Sequence, residues 1–363
     1  MSGIMRSGKR TIETAALGNH AACAASGFAS LGIGPDDVVA VYLRNDFAFF
    51  EASVAAGLVG AYSTPANWHN SPDEAAYIFE NSGAKAIVIH ADLYHPIAKA
   101  LPKGVPVFIV ETPPEIMSAY GLSEEGCRLP EGVPLWREWL SQFPPKEQGP
   151  DEAPGSMIYT SGTTGHPKGV RRKRPDAKQA VAWANIISNV MGFNSKYGNP
   201  EDMVTVITGP MYHSAPNAYG LFAFRVGASA ILQPRFDPEE LLALIEKYKV
   251  THLHMVPTMF VRLLKLPDEV KKKYDLSSLR FVVHAAAPCP VHVKQAMIEW
   301  WGPVIYEYYG GTETGAVVFC DSKEWLAHPG TVGKAVEGAV VRVLDDNGNE
   351  LATGATGEIV WVM

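Results

Sequence analysis

The sequence has few cysteines, no excess of positive charge and no long apolar run. Four cysteines occur in 363 residues, and Cys23, Cys127, Cys289 and Cys320 lie far apart without a CxxC pair. This spacing argues against a dense disulfide framework and against a cysteine zinc site. We therefore expect reduced thiols in a cytoplasmic protein.

The charge balance and the hydropathy pattern exclude two further classes. A net charge of −7 and a pI near 5.9, with both signs interspersed, do not supply the broad basic face that nucleic acid requires. No run reaches the roughly 18 apolar residues of a transmembrane helix, and residues 1–8 lack the apolar stretch of a secretory signal. The pattern leaves the oligomeric state open.

A hydrophobic content of 47% over 363 residues is enough for a sizeable core and for two or three globular units. Short apolar runs such as residues 38–43 and 86–89 alternate with helical patterns such as residues 47–59, 73–82 and 177–191. Strands that alternate with helices predict an α/β fold with mainly parallel sheets covered on both faces.

Three segments are expected along the chain. Residues 1–154 form a first α/β subdomain, because residues 111–154 are rich in proline, glycine and acidic residues apart from a short helix at 135–143. Residues 155–329 form a second α/β subdomain. Residues 330–363 begin a small β-barrel-like subdomain, since residues 339–344 and 357–362 alternate like strands around the turn signal Asn347-Gly348.

The most informative segment is residues 159–170, YTSGTTGHPKGV. Glycines let successive backbone N–H groups converge on an anion, hydroxyl groups add donors, and a lysine adds a mobile positive charge. A triphosphate fits this composition. The segment is not a Walker A loop, because Lys168 lies between Pro167 and Gly169 rather than between a glycine and a serine or threonine.

A second segment, residues 308–315 with the sequence YYGGTETG, has residue types suited to a nucleotide. The ring of Tyr309 can stack on a base, Thr312 can donate to a phosphate, and the carboxylate of Glu313 can hold Mg²⁺. Taken alone, such an octapeptide is more often an ordinary strand-to-loop turn.

These segments resemble the signature elements of the adenylate-forming superfamily, which includes acyl-CoA synthetases and other AMP-dependent synthetases and ligases. Residues 283–290 (VHAAAPCP) resemble its adenine-pocket segment, although alanines stand where glycine is common. Residues 209–216 (GPMYHSAP) resemble its motif beside the acid pocket. The resemblance runs from about residue 31 to the last residue.

The resemblance implies an acid:CoA ligase that uses ATP, Mg²⁺ and CoA, with a carboxylic acid as the other substrate. It implies reaction roles for Thr163, Lys168, His213 and Glu313, with Glu313 also binding the metal. It further implies that nucleotide contacts come from Thr160, Ser161, Gly162, Thr164, Gly165, Ala286, Ala287, Pro288, Tyr309, Gly310, Gly311 and Thr312.

The sequence departs from the family pattern near its end. The Thr-Gly-Asp element that binds ribose in the family has no counterpart before Met363, and no residue matches the catalytic lysine of the family's C-terminal lid domain. We therefore expect the lid domain to be absent and the activity of this chain alone to be impaired.

Two alternatives stay open: an adenylating enzyme that loads a carrier protein, and a fragment that binds nucleotide or acid without turnover. The aromatic and apolar residues near the histidine motif suit a hydrophobic acid, without identifying which one. The residues expected near the acyl group are Val190, Met191, Phe193, Tyr212, Asn217, Tyr219 and Gly220.

Overall fold

The computed structural model of the protein describes residues 3–150, 153–160, 166–172 and 176–362. The chain divides into two compact units. Unit 1 comprises Met1–Val181 and Asn199–Asp237, and unit 2 comprises Ala182–Gly198 and Pro238–Met363. The predicted division after residues 154 and 329 stays a prediction.

Unit 1 contains ten strands among its described residues. They are β1 (Ile4–Ser7), β2 (Arg10–Glu13), β3 (Val38–Tyr42), β4 (Tyr62–Pro65), β5 (Ala84–His90), β6 (Val107–Val110), β7 (Ile158–Thr160), β8 (Lys168–Val170), β9 (Val204–Ile207) and β10 (Ser229–Leu232).

The helices of this part of the chain are α1 (Thr14–Ser30), α2 (Phe47–Leu58), α3 (Pro72–Ser82), α4 (Ala91–Ile97), α5 (Pro114–Tyr120), α6 (Trp136–Leu140), α7 (Ala177–Met191) and α8 (Ser214–Arg225). Helix α7 begins in unit 1 and ends in unit 2. Short 3₁₀ turns occupy Ala98–Ala100 and Pro200–Asp202.

Four strands of unit 1 form a parallel sheet in the order β4-β3-β5-β6. All five residues of the central strand β3 are buried. Its unbroken apolar sequence VVAVY suits a strand that is covered on both faces. Helix α3 has a capping box between Ser71 and Glu74, and it ends at Gly83 in the left-handed conformation, so its sequence fixes both termini.

A second sheet of unit 1 has the order β9-β10-β1-β2, with β2 antiparallel to its neighbour. Strand β1 pairs with β10, and Met5 lies opposite Ala230. The sequence pattern did not predict β1, β4 or β10. Four-residue strands carry little periodicity of their own, and the partner of β1 is more than 220 residues away.

Unit 2 contains helices α9 (Pro238–Tyr248), α10 (Pro257–Leu264), α11 (Asp268–Lys271), α12 (Val291–Trp301) and α13 (Ser322–Ala327). Its strands are β11 (His252–Met255), β12 (Phe281–His284), β13 (Ile305–Gly311), β14 (Gly315–Cys320), β15 (Lys334–Ala335), β16 (Val340–Leu344) and β17 (Glu358–Val362). Strands β11, β12 and β13 are parallel, and β14 and β15 continue the sheet antiparallel.

The predicted α/β class is confirmed, and α7 and α9 are observed at the expected residues. The two strands predicted after residue 330 are also observed: β16 and β17 form an antiparallel pair with Val340 opposite Val362. The region 111–154 is more structured than its composition indicates. The short helix expected at 135–143 is observed as α6, whereas α5 was not expected. Trp136 is buried, and its indole N–H donates to Glu51.

Candidate active site

Strands β7 and β8 flank the predicted phosphate loop in unit 1. Their antiparallel register places Thr160 opposite Lys168. Lys168 is exposed and Thr160 is half-buried, so the ammonium group of Lys168 is accessible to an anion. The predicted phosphate contacts Ser161, Gly162, Thr163, Thr164 and Gly165 lie outside the described residues.

Two tyrosines anchor this strand pair within unit 1. The Tyr159 hydroxyl donates to Oδ1 of Asn81 over 2.7 Å, and the Tyr77 hydroxyl donates to the carbonyl of Pro167 over 3.2 Å. Burial, followed by the neighbouring Tyr77, raises the pKa of Tyr159 to about 12. The Tyr159 hydroxyl therefore keeps its proton at neutral pH and remains the donor in its hydrogen bond to Asn81.

The predicted acid-binding histidine, His213, lies immediately before α8. Its ring centroid is 4.4 Å from that of Tyr212, and Tyr212 meets the ring of Trp68 edge-on at 4.6 Å. His213 is exposed to solvent, but desolvation by the protein around it lowers its pKa below the usual 6.5. A neutral imidazole, with one donor and one acceptor nitrogen, is thus available beside the aromatic pair.

The residues expected near the acyl group have different surroundings. Tyr219 is fully buried, and its hydroxyl lies 2.8 Å from Oγ1 of Thr205. The Asn217 amide donates to the carbonyl of Met211 over 3.0 Å, and Gly220 is buried beside Met211. In unit 2, Val190, Met191 and Phe193 are all buried. Of the unit 1 members of this set, only Tyr212 is part-exposed.

The predicted adenine segment follows strand β12 in unit 2. Ala286, Ala287 and Pro288 are exposed beyond the carboxyl end of this strand, the edge at which parallel sheets commonly bind ligands. Ala286 has a φ of +75°, a conformation that costs roughly 1–2 kcal/mol for a residue with a Cβ atom. Glycine, which the family pattern prefers here, would not bear this cost.

The segment at residues 308–315 is a hairpin between β13 and β14, not a strand-to-loop turn. The carboxyl ends of β12 and β13 are adjacent because His284 pairs with Glu307 in a parallel ladder. The structure therefore brings Ala286 and Tyr309 to the same edge of the sheet. Tyr309 is 37% exposed, with its ring perpendicular to that of Trp361, so part of the aromatic ring is accessible to a base.

The hairpin tip carries the predicted phosphate and metal residues. Glu313 is exposed, and Thr312 and Gly311 are half-buried. Only glycine fits at position 310, because a Cβ atom there would lie 1.8 Å from the carbonyl oxygen of Gly315. A bulge interrupts the ladder at the same point, between Tyr309 and Gly310.

The donor set at the tip fits Mg²⁺ brought in with a nucleotide. Within residues 3–150, 153–160, 166–172 and 176–362, no group of three or more His, Cys, Asp or Glu side chains is placed to hold a metal alone. Mg²⁺ bound with substrate phosphates typically takes one or two carboxylates and keeps several waters. The exposed carboxylate of Glu313 can supply such a ligand.

The described part of the chain also bears on membrane insertion and on the state of the thiols. None of its helices is both long and apolar enough to cross a membrane. All four cysteines carry free thiols, and Cys320 is buried. Burial raises the pKa of Cys289 and of Cys320 to about 11, which keeps both as thiols near neutral pH.

Comparison with known proteins gives relatives over nearly the whole chain. The profile of the family described as AMP-binding enzyme matches residues 4–362. A 4-coumarate–CoA ligase from Pinus taeda is 30% identical over 342 residues, which cover 92% of this chain and 60% of that protein. The 4-coumarate–CoA ligase CCL1 of Humulus lupulus is 31% identical over 345 residues, with the same shares covered. The chain thus spans about 60% of the length of these curated relatives.

Solved structures show the same fold. The anthranilate CoA ligase AuaEII in complex with anthranoyl-AMP matches with a TM-score of 0.81 at 23% identity, covering 99% of this chain and 66% of that one. A benzoate CoA ligase from Burkholderia xenovorans LB400 matches with a TM-score of 0.79 at 17% identity, covering 99% and 68%. At these identities the likeness concerns the fold alone.

Proposed function

Because the chain belongs to the AMP-binding enzyme family, we propose that it is the nucleotide-binding part of an AMP-forming acid:CoA ligase. The observation that carries the proposal is the family match over residues 4–362, together with relatives that are themselves named 4-coumarate–CoA ligases. We propose a hydrophobic carboxylic acid as substrate, with aryl acids as the first to test.

The proposed reaction has two steps. A carboxylate oxygen of the acid attacks the α-phosphorus of ATP, the bond to the β-phosphate oxygen breaks, and pyrophosphate leaves. The thiol sulfur of CoA then attacks the carbonyl carbon of the acyl-adenylate, AMP leaves with the bonding electron pair, and the thiol proton goes to solvent. Such chemistry depends on positioning and charge neutralisation more than on a protein nucleophile.

The chain's own residues supply binding and charge. In this proposal Lys168 and the loop hydroxyls of Ser161, Thr163 and Thr164 bind the β- and γ-phosphates, and Thr312 donates to the α-phosphate. Tyr309 stacks on adenine beside Ala286 and Ala287, with Gly310 and Gly311 allowing close approach. Mg²⁺, held by Glu313, would neutralise phosphate charge when bound. His213 borders the acid carboxylate as a neutral imidazole.

An assay of the first step, formation of the acyl-adenylate, tests the proposal on this chain without CoA. Pyrophosphate release is measured with ATP, Mg²⁺ and a panel of acids that includes 4-coumarate, benzoate and a fatty acid. We expect release with at least one aryl acid. Because we expect the activity of this chain alone to be impaired, release is compared with the rate measured without acid. ATP binding with no acid-dependent release for any acid would contradict the ligase activity and leave only the nucleotide-binding role.

A lysine variant connects activity to the proposed site. Lys168→Met removes the cation beside the triphosphate, and loss of one charge-assisted hydrogen bond of about 1.5–3 kcal/mol corresponds to a roughly 10- to 150-fold weaker interaction with ATP. The control is Lys103→Met, which removes another exposed ammonium of unit 1. Equal effects of the two substitutions would contradict the role of Lys168.

A further inference from the structure

Three consecutive polar residues are buried in the loop between β3 and α2. Arg44, Asn45 and Asp46 are 6%, 2% and 2% exposed. Loops usually lie on the surface, and buried polar groups are costly unless each has a partner. The partners of these three side chains therefore indicate what the loop holds in place.

The two outer residues fix the loop to the carboxyl end of β5. The Arg44 guanidinium pairs with Asp92 at 2.8 Å, and the Arg44 backbone N–H donates to Nδ1 of His90. Asp46 pairs with Arg10 and lies 3.4 Å from Nε2 of His90. Although burial by itself raises the pKa of Asp46, the His90 hydrogen bond and the charge of Arg10 lower it to about 2. The loop backbone is thus fixed on both sides of Asn45.

Asn45 bonds in a different direction, to a segment more than 160 residues further along the chain. Its Nδ2 donates to the carbonyl of Gly209 over 2.9 Å, and its Oδ1 accepts from the backbone N–H of Met211 over 2.9 Å. Both bonds are buried and lie on either side of Pro210. A side-chain amide supplies the donor and the acceptor from two separate atoms, so Asn45 can bond to both backbone groups at once.

The segment that Asn45 holds leads directly to the candidate acid-binding histidine. Met211 is followed by Tyr212 and His213, and the His213 N–H donates back to the carbonyl of Pro210 over 3.1 Å. The backbone that leads into His213 is therefore bonded to Asn45 at Gly209 and at Met211, four and two residues before the histidine.

We propose that Asn45 is a positioning residue that fixes the backbone of residues 209–213 and so sets the orientation of His213 towards the acid. This inference rests on the proposed function for the part that concerns the acid. The backbone clamp itself does not depend on any activity, so the two can be tested separately.

The clamp is tested by amide hydrogen exchange on Asn45→Ala and on the milder Asn45→Ser. We expect exchange at the Met211 amide and in peptides covering residues 209–213 to accelerate at least tenfold in Asn45→Ala, because two buried hydrogen bonds are lost. The matched control is Glu51→Gln, which perturbs another buried polar group of unit 1 that accepts from Trp136 and pairs with His20. It should leave exchange in residues 209–213 unchanged.

The positioning role is tested by the kinetics of pyrophosphate release. Asn45→Ala should raise KM for the acid by about tenfold and leave KM for ATP within twofold, whereas Glu51→Gln should change neither. A comparable rise in both KM values, or unchanged exchange at Met211, would overturn the proposal. If the unmodified chain releases no pyrophosphate, the proposed function fails, while hydrogen exchange still decides whether Asn45 clamps the segment. Should Asn45→Ala not fold, Asn45→Ser gives the same readouts.

Discussion

Replacing a buried lysine on α12 should destabilise unit 2 more than replacing one partner of an exposed ion pair does. Lys294 is fully buried, and its Nζ lies 2.5 Å from Oε2 of Glu307, itself 6% exposed. The same ammonium lies 3.9 Å from the sulfur of Cys320 and 5.2 Å from the Trp325 ring centroid. Lys294 therefore connects α12 to β13, β14 and α13 from inside the unit.

The size of the effect follows from the burial of both charges. Lys294→Met leaves the Glu307 carboxylate buried without its cation, and breaking such a pair costs about 3–5 kcal/mol. This corresponds to a roughly 150- to 4,000-fold change in the unfolding equilibrium. The loss is a large part of the roughly 5–15 kcal/mol that stabilises a typical domain.

The double variant Lys294→Met/Glu307→Leu separates the cost of an orphaned charge from the cost of lost packing. Removing both charges in favour of apolar groups is often neutral or stabilising, so we expect it to recover most of the stability that the single variant loses. A double-mutant cycle that also includes the single variant Glu307→Leu should thus give a coupling energy of several kcal/mol between the two side chains.

Urea denaturation and hydrogen exchange of β13 measure the effect. The control is Lys249→Met, which removes one partner of an exposed pair, since Lys249 and Asp275 are 3.0 Å apart at the surface. Exposed pairs contribute little, so its unfolding midpoint should barely move. Equal losses of stability in Lys294→Met and Lys249→Met, or a double variant less stable than Lys294→Met, would show that the buried pair does not stabilise unit 2 in this way.

Two further predictions concern the hairpin tip and the pH dependence of unit 2. Gly310→Ala should abolish ATP binding measured by calorimetry, because its Cβ would lie 1.8 Å from the backbone carbonyl oxygen of Gly315; an unchanged affinity for ATP would contradict this. Burial lowers the pKa of His252 and His254 to about 4 and that of His284 well below 6.5. The contribution of these three neutral imidazoles to the free energy of unfolding is therefore complete above the unfolded pKa of about 6.5 and is lost as pH falls towards 4. The free energy of unfolding should fall by at most about 4 kcal/mol per pH unit for the three groups. A urea midpoint that stays constant from pH 7.5 to pH 5 would contradict it.

The sequence predicted elements whose signal is local. The run VVAVY of β3 and the helical periods of α7 and α9 carry their own pattern, and the structure has them at or within a residue of the expected bounds. Helix α8 was missed because its sequence, SAPNAYGLFAFR, contains proline, asparagine and glycine, which favour turns and caps over helix interiors.

Long-range partners could not be predicted. Asn45 follows a buried strand and resembles any loop asparagine until Gly209 and Met211 are placed beside it. The pairing of Lys294 with Glu307 likewise depends on how α12 packs against β13, because thirteen residues separate the two in the chain. The motif residues Lys168, His213, Tyr309 and Glu313 were predicted from residue order, and their roles stay proposals.

The proposed function requires Lys168 and Glu313 each to contact bound Mg-ATP. A crystal structure of this chain with a non-hydrolysable ATP analogue and Mg²⁺ tests this requirement. We predict the β- or γ-phosphate within hydrogen-bonding distance of Lys168, adenine against Tyr309, and Glu313 coordinating the metal. A nucleotide that contacts one of these two residues while the other remains remote from it would contradict the requirement.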